Sequence, residues 1–593
     1  MCGICGELRF DGGVPDLAAL GRMLAVLAPR GPDHGGSYSE GPLAFGHRRL
    51  AIIDLSPRGN QPMVDSDLGL VLVFNGTIYN YPELRRDLQA QGFSFFSSGD
   101  SEVILKAFAA WGERCVERLH GMFAFAIWDT AAQRLFLARD RLGIKPLYYA
   151  HDGKRLRFAS NTQALLAAGG VDTRIDPVAL HHQFTLHAVT PAPRTILQGV
   201  RKVAPATSLC VDASGQVHER RYWELLAVRR EPDLPAHEWV EAVHEALGRA
   251  VQRRLQIADV PVGVLLSGGL DSSLLVGLLA QAGVGELLTF SVGFEDQPEE
   301  RGSEFEYSDQ VAARFETRHH RYSIPNDEVM RRLPEAVHQM AEPMVAQDAV
   351  AFFLLAEQVA REVKVVQSGQ GADEVFGGYF WYPQMQAEQG SDLQRFRSHY
   401  FDRDHDEYLE MIAPELRGAD HTAALIERLL AEPGAETFLD RVLRLDVTTL
   451  IVDDPVKRVD NMTMAWGLEA RVPFLDHELV ELVMQAPPAL KLESDGKHLL
   501  KVIARGLLPD AVIDRPKGYF PVPALKYVRG AFLEFMREVL YSRACRERGL
   551  YQRAYVARLL AAPERYLTRI RGSKLWHLAL LEYWLQLNVD AAA

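Results

Sequence analysis

The chain has 593 residues, enough at roughly 100–200 residues per domain for at least two domains with large cores. Hydrophobic residues make up 48% and charged residues 24%, without a low-complexity block or an apolar run of about 18 residues, which excludes disordered, fibrous and membrane-spanning classes. The net charge of −13, with no lysine and arginine stripe interleaved with aromatics, argues against a nucleic-acid partner.

The chain opens Met1-Cys2-Gly3-Ile4-Cys5-Gly6, with no basic segment leading into an apolar one, so a cytoplasmic protein is expected. Its five cysteines (Cys2, Cys5, Cys115, Cys210, Cys545) are odd in number and scattered, which fits a reducing compartment and no disulfide framework. Cys2 and Cys5 lack a second Cys pair or Cys/His cluster to complete a zinc site, and a redox pair should follow a strand. If Met1 is removed, Cys2 becomes the first residue. Its own α-amine, with a pKa of roughly 7.7–8.0, can then act as base for the thiol.

Next in order come Arg30-Gly31-Pro32-Asp33, His47-Arg48-Arg49-Leu50, Asn75-Gly76-Thr77-Ile78-Tyr79-Asn80 and Gly99-Asp100-Ser101-Glu102. Short alternating runs at 122–128, 135–138, 147–150 and 156–159 predict antiparallel sheet. Jointly with Cys2-Gly3-Ile4, these motifs resemble class II glutamine amidotransferase domains of the N-terminal-nucleophile hydrolase type. The resemblance implies an αββα sandwich with Cys2 as nucleophile. It implies an oxyanion held by the Asn75 side chain and the Gly76 backbone N–H, and glutamine bound through Arg49 and Asp100, besides Asn75. Thr77 stands where this family usually has an acidic residue, leaving Asp100 more of the ammonium contact. In Ser160-Asn161-Thr162-Gln163, related synthetases often carry a Glu and a Lys in the last three places.

Around 229–235 the pattern fades into a polar, proline-bearing stretch, which places a boundary near 225 and predicts domains over 2–225 and 226–593. Val240, Val243, Leu247, Val251 and Leu255 recur at helical spacing. An apolar run over 262–266 then breaks at Ser267-Gly268-Gly269, and a helical run begins at Ser272. That strand, tight loop and helix suit a phosphate group. The loop lacks the lysine of the commonest nucleotide loop; Ser267-Gly268-Gly269-Leu270-Asp271-Ser272 instead resembles the pyrophosphate loop of ATP pyrophosphatases. In that resemblance Ser267, Gly269, Ser272 and Ser273 hold pyrophosphate, and Asp271 helps bind magnesium. Further apolar runs at 287–292 and 364–367 predict a doubly wound parallel sheet with added helices, the α/β class.

The third run leads into Ser368-Gly369-Gln370-Gly371-Ala372-Asp373-Glu374, where Asp373 can face magnesium together with Asp271. With Val459-Asp460-Asn461-Met462 and Gly467-Leu468-Glu469-Ala470-Arg471-Val472-Pro473, nearly the whole chain resembles the glutamine-dependent asparagine synthetase family. The resemblance implies ATP contacts at Leu265, Val292, Ser368 and Gly369, with Gly268 in the loop, and makes Lys517 the cation facing the acyl-adenylate and departing pyrophosphate. Small-molecule substrates (glutamine, ATP and a carboxylate acceptor) are expected with Mg²⁺, and a homodimer is left open. Gln370 stands at an acceptor-handling position where asparagine synthetases have glutamate; glutamine cannot act as a base. The surroundings, with Phe380-Trp381-Tyr382-Pro383-Gln384, look more like the N-acetylglutaminylglutamine amidotransferases of osmolyte synthesis. Aspartate amidation stays open as the alternative. The acidic balance opposes an RNA sulfur-transfer enzyme, and retention of the catalytic set opposes an inactive scaffold.

Overall fold

Two six-stranded antiparallel sheets form the first half of the computed structural model, which describes residues 2–230, 233–296, 301–515, 525 and 527–592. The strands are β1 (Cys2–Arg9), β2 (His34–Glu40), β3 (Leu43–Arg49), β4 (Met63–Asp65), β5 (Leu70–Ile78) and β6 (Gly121–Asp129). They continue as β7 (Arg134–Arg139), β8 (Tyr148–His151), β9 (Arg155–Ala159), β10 (Arg201–Lys202), β11 (Thr207–Val211) and β12 (Val217–Arg221). One sheet runs β10-β8-β9-β1-β3-β2 and the other β12-β11-β7-β6-β5-β4.

The period-two geometry of a strand explains the layering. Along β6, Ala124, Ala126 and Trp128 pack between the sheets with Ile4, Phe45 and Phe158. Phe123, Phe125 and Ile127 face the other way, against Leu84 and Leu88 of helix Tyr81–Ala90 and Val103 and Phe108 of helix Asp100–Trp111. On the far side, helices Leu17–Leu27 and Thr162–Ala168 cover the β1 sheet. The result is the expected αββα sandwich.

In the second half, β13 (Val262–Leu265), β14 (Leu288–Phe294), β15 (Arg318–Ile324), β16 (Val365–Gln367) and β17 (Glu469–Arg471) pair in parallel, in the order β15-β14-β13-β16-β17. The order reverses between β13 and β16, and ligands of such sheets bind beyond the strand ends at that switch point. The expected helix spans Ala236–Gln256, and the helix after the loop spans Leu270–Gln281. The sequence predicts three strands here and the sheet has five. Strand β15 is an edge strand reading Arg-His-His-Arg-Tyr-Ser-Ile, and β17 has three residues, so neither carries an apolar signature. Among the described residues no helix is long and apolar enough to cross a membrane. The stretch expected as a linker is tied down at its start: the Arg229 backbone N–H donates to Glu436 (2.7 Å), and its guanidinium pairs with Asp440.

Candidate active site

Strands β1, β3 and β5 and the start of helix Asp100–Trp111 bring four of the predicted residues to one pocket, lined by Cys2, Arg49, Gly76 and Asp100, with Asn75 beside Gly76 in β5. The Cys2 backbone N–H donates to Asn75 Oδ1 at 3.0 Å, while the buried Asn75 Nδ2 has no protein partner. The amide is thereby oriented with its donor left over for a ligand. Gly76 has φ +152°, and a Cβ there would lie 2.1 Å from the Met122 carbonyl, so only glycine fits. Burial pushes the Cys2 thiol up from its ordinary value, so it needs a base to ionise.

Arg49 is held by neutral acceptors: the Ser56 carbonyl (3.0 Å), Asn60 Oδ1 (2.7 Å), the Ile53 carbonyl (3.4 Å) and the Asp54 carbonyl. A guanidinium fixed in this way keeps its charge for a ligand carboxylate. Asp100 opens its helix and accepts the Ile78 N–H at 3.1 Å, and burial pushes its carboxyl up to about 6.

One lining residue was not expected. Glu469, at the start of β17 and 0% exposed, reaches this pocket from the other half of the chain and accepts a hydrogen bond from Thr77 Oγ1 at 3.2 Å. Burial pushes its carboxyl up, but surrounding positive charge, Arg471 at 2.5 Å and Lys145 included, outweighs burial and holds it at about 2. A carboxylate therefore stands beside position 77 although the chain has threonine there.

Beyond the ends of β13 and β16 lies a cavity of about 910 Å³. Leu265, Ser267, Gly269, Asp271, Ser272, Val292, Ser368, Gly369, Gln370 and Asp373 all line it. Gly268 and Ser273 do not. Gly268, at φ +78°, turns against Tyr307 and Ser308, and Ser273 is wholly buried in the first helical turn. The loop is braced internally: Ser272 Oγ accepts the Ser267 N–H (3.2 Å), and Ser267 Oγ accepts the Gly269 N–H (3.2 Å).

Asp271 and Asp373 converge on one cation, the Lys497 ammonium, at 2.6 and 2.7 Å. Burial lowers the Lys497 pKa, but these two carboxylates outweigh it and raise it. Gly378 permits the approach, since a Cβ there would lie 2.2 Å from Lys497 Cε. Two carboxylates already sharing a positive charge fit a divalent ion with oxygen ligands. Lys497 carries no sequence signal beyond its place in Gly496-Lys497-His498 and was missed. Arg515 reaches the cavity wall, pairing with Glu304 at 2.8 Å, whereas Lys517 lies outside the described residues.

A second cavity of about 190 Å³ continues from the first, sharing Asp348, Tyr379 and Arg458 as walls. Trp381 stacks on Tyr379 (centroids 4.1 Å apart) at its side, and Asp446, Leu450 and Asp454 reach it from widened π-helical turns over 446–456, a local geometry frequent at functional sites.

Residues 1–223 match the family model of the glutamine amidotransferase domain, and residues 242–586 match that of asparagine synthase. The chain is 32% identical to asparagine synthetase (glutamine-hydrolyzing) 3 of Bacillus subtilis, over 88% of this chain and 87% of that one. It is 30% identical to asparagine synthetase (glutamine-hydrolyzing) 1 of the same organism, over 96% and 93%. Amidase chry2 of Gibberella zeae is 28% identical over 84% of both chains.

Proposed function

Since the chain belongs to the glutamine-hydrolysing asparagine synthetase family, an AMP-forming group of ATP-dependent ligases, we propose that its two pockets act in series on an acceptor larger than aspartate. In the first, with Met1 removed, the Cys2 amine takes the thiol proton and the sulfur attacks the glutamine side-chain amide. Asn75 Nδ2 and the Gly76 N–H hold the resulting oxyanion, and Arg49 and Asp100 fix the substrate's carboxylate and ammonium. Ammonia leaves, and water cleaves the thioester to glutamate.

In the second, an acceptor carboxylate attacks the α-phosphorus of ATP, displacing pyrophosphate, and ammonia then displaces AMP from the acyl-adenylate. Activation is needed because a carboxylate is a poor electrophile. Asp271 and Asp373 are the residues that would hold magnesium, which when bound neutralises pyrophosphate oxygens. The Ser267–Ser273 loop takes the phosphates, and the cation at 517 faces the leaving pyrophosphate in this reading.

The observation that carries the reading is β17. Its first residue, Glu469, walls the glutamine pocket, and the carbonyl of its last, Arg471, accepts the N–H of Ser368 (2.9 Å) at the rim of the nucleotide cavity. Three residues thus span from one pocket to the other. Cys2→Ala should abolish glutamine-dependent amidation while ammonia-dependent AMP release persists; glutamine use by that variant would overturn the first half of the reading. Formation of ADP and phosphate would overturn the second.

For the acceptor, the reading is the C-terminal carboxylate of N-acetylglutaminylglutamine, a step in osmolyte synthesis. Gln370 at the cavity wall and the continuing second cavity support a blocked, elongated and polar acceptor. Aspartate is the second reading, favoured by the naming of the relatives from Bacillus subtilis. Glutamine-dependent AMP release with each acceptor in turn separates the two.

A further inference from the structure

Behind the second cavity, His187, Asp402 and His577 meet from three separate stretches of chain. His187 follows helix Pro177–Thr185 in the first half, with φ +53°. Asp402 follows helix Asp392–Tyr400, and its backbone N–H is anchored on the Thr185 carbonyl at 3.0 Å. His577 lies in the long helix Lys574–Asn588. Asp402 and His577 have no part in the two-pocket reaction described above, and His187 touches it only as a wall of the second cavity.

Asp402 Oδ2 lies 3.2 Å from His187 Nδ1 and 3.4 Å from His577 Nδ1. Ligand atoms around a tetrahedral ion bound at roughly 2.0–2.2 Å are separated by about 3.3–3.6 Å, so these two spacings are close to two edges of such a polyhedron, and the third pair of ligand atoms lies within 4.8 Å. His187 Nδ1 makes a hydrogen bond to Asp402 Oδ2, but His577, just as close to that oxygen, does not donate to it. His577 is 1% exposed, yet neither of its ring nitrogens makes a hydrogen bond, and the wholly buried Asp402 Oδ1 makes none. Buried polar atoms are nearly always paired, and the orphaned His577 Nδ1 facing a carboxylate it does not donate to marks a missing partner between them. The nitrogen of His577 stands beside the carboxylate oxygen without being aligned to donate to it, as two ligands of a common ion stand.

Space is reserved as well. Gly572 packs against the cluster, where a Cβ would come within 3.2 Å of His577 Nε2 and 3.7 Å of His187 Cε1. His187 and Gly572 also line the second cavity, so the cluster opens toward that space on one side.

We propose that His187 Nδ1, Asp402 Oδ2 and His577 Nδ1 form a binding site for a zinc-class divalent ion, with a fourth position facing the second cavity. Two imidazoles and one carboxylate select borderline first-row ions over magnesium or calcium, which prefer all-oxygen shells. The ion draws together the first half, the middle helices and the C-terminal helix, and its open position can take a water or an oxygen of a molecule in the cavity. The site stands independently of which acceptor the enzyme amidates.

The test uses the full-length protein, stripped with a chelator and titrated with Co²⁺, whose visible absorption reports a site of low coordination number, then with competing Zn²⁺. One ion per chain is expected, displaced by Zn²⁺, with thermal stability raised by either metal. His577→Ala and the less buried His187→Ala should each weaken Co²⁺ binding at least tenfold while keeping the wild-type circular dichroism. His181→Ala, in a separate cluster with His405 and Asp420, should leave binding unchanged. If the wild type binds neither metal, the cluster is a hydrogen-bonded ion pair and the proposal fails. If binding survives in His187→Ala, or is lost in His181→Ala instead, the assignment to these three residues fails.

Discussion

Asp100 shows how one side chain sets a condition on the first pocket. In the proposed reading its carboxyl holds the ammonium of glutamine and must be ionised to do so, and burial has raised its pKa to about 6 from an ordinary 3.8. The charged form is present above that value and lost as pH falls through it. Cys2→Ala removes the chemistry and its amine-dependent steps, leaving binding alone; its affinity for glutamine should fall about tenfold between pH 7 and pH 5, the loss expected for uptake of one proton at such a pKa. Calorimetry checks this, and an affinity flat down to pH 5 would remove Asp100 from the ammonium site. Glu469 lines the same pocket, and we propose that it shares this contact. Glu469→Gln keeps its shape and should raise KM for glutamine roughly tenfold to a hundredfold, the worth of one charge-assisted hydrogen bond. Ammonia-dependent turnover checks that the second pocket still works; an unchanged KM would leave Glu469 the task of pairing Arg471 only. The departure at Thr77 was legible in the sequence, but its counterpart was not: 392 residues separate the two, and nothing local marks a glutamate in Gly467-Leu468-Glu469 as belonging to the glutamine pocket. The neutral Ser160-Asn161-Thr162-Gln163 likewise had no reading in sequence. In the fold, Asn161 caps a helix through the Ala164 N–H (3.0 Å), and Gln163 Nε2 donates to the carbonyls of His338 (2.8 Å) and Met340 (2.5 Å) in the other half.

Elements were most legible where periodicity and burial agree. The alternating runs that became β6, β7 and β9 have both faces covered, as has the start of β8, and the strand-loop-helix at 262–281 combines an apolar run with two glycines at its break. Strands β2, β15 and β17 escaped because they are polar and take their place from the neighbours they pair with. Within the nucleotide loop the two glycines differ in purpose. Gly269 has ordinary φ and ends the loop, whereas Gly268 sits at φ +78° with its missing Cβ 2.7 Å from the Ser308 nitrogen. Gly268→Ala must pay about 1–2 kcal/mol for the left-handed conformation and also displace the start of helix Phe305–Arg314. Affinity for ATP should drop roughly fivefold to thirtyfold at that strain. Glutamine hydrolysis at Cys2 serves as the internal control, and unchanged ATP affinity would show that the loop does not need this turn.

At the scale of the molecule the two halves share one interior. Leu20, Met23 and Phe184 of the first pack in the same cluster as Met340, Trp576 and Trp584 of the second. Charges cross the seam too: Asp460 takes Arg30 at 2.9 Å and Lys145 at 3.2 Å. Lys202, 2% exposed in β10, meets Glu342 at 2.9 Å and Asp453 at 2.7 Å, and Lys457 faces the same two carboxylates at 3.4 and 3.5 Å. Two cations and two anions balance, all out of water. Lys202→Met breaks the balance and leaves one buried negative charge uncompensated, which destabilises by about 3–5 kcal/mol. Since Lys202 belongs to one half and its partners to the other, the loss should appear in both halves together. Urea unfolding followed by circular dichroism and by glutaminase activity should give coincident transitions, both at a lower midpoint than wild type. If the first half instead unfolds at its original midpoint, the halves are held together by less than this seam suggests. Removing the opposing charge as well, with Asp453→Leu added to Lys202→Met, should recover part of the loss, because a neutral apolar pair spares the desolvation that an unpaired carboxylate suffers.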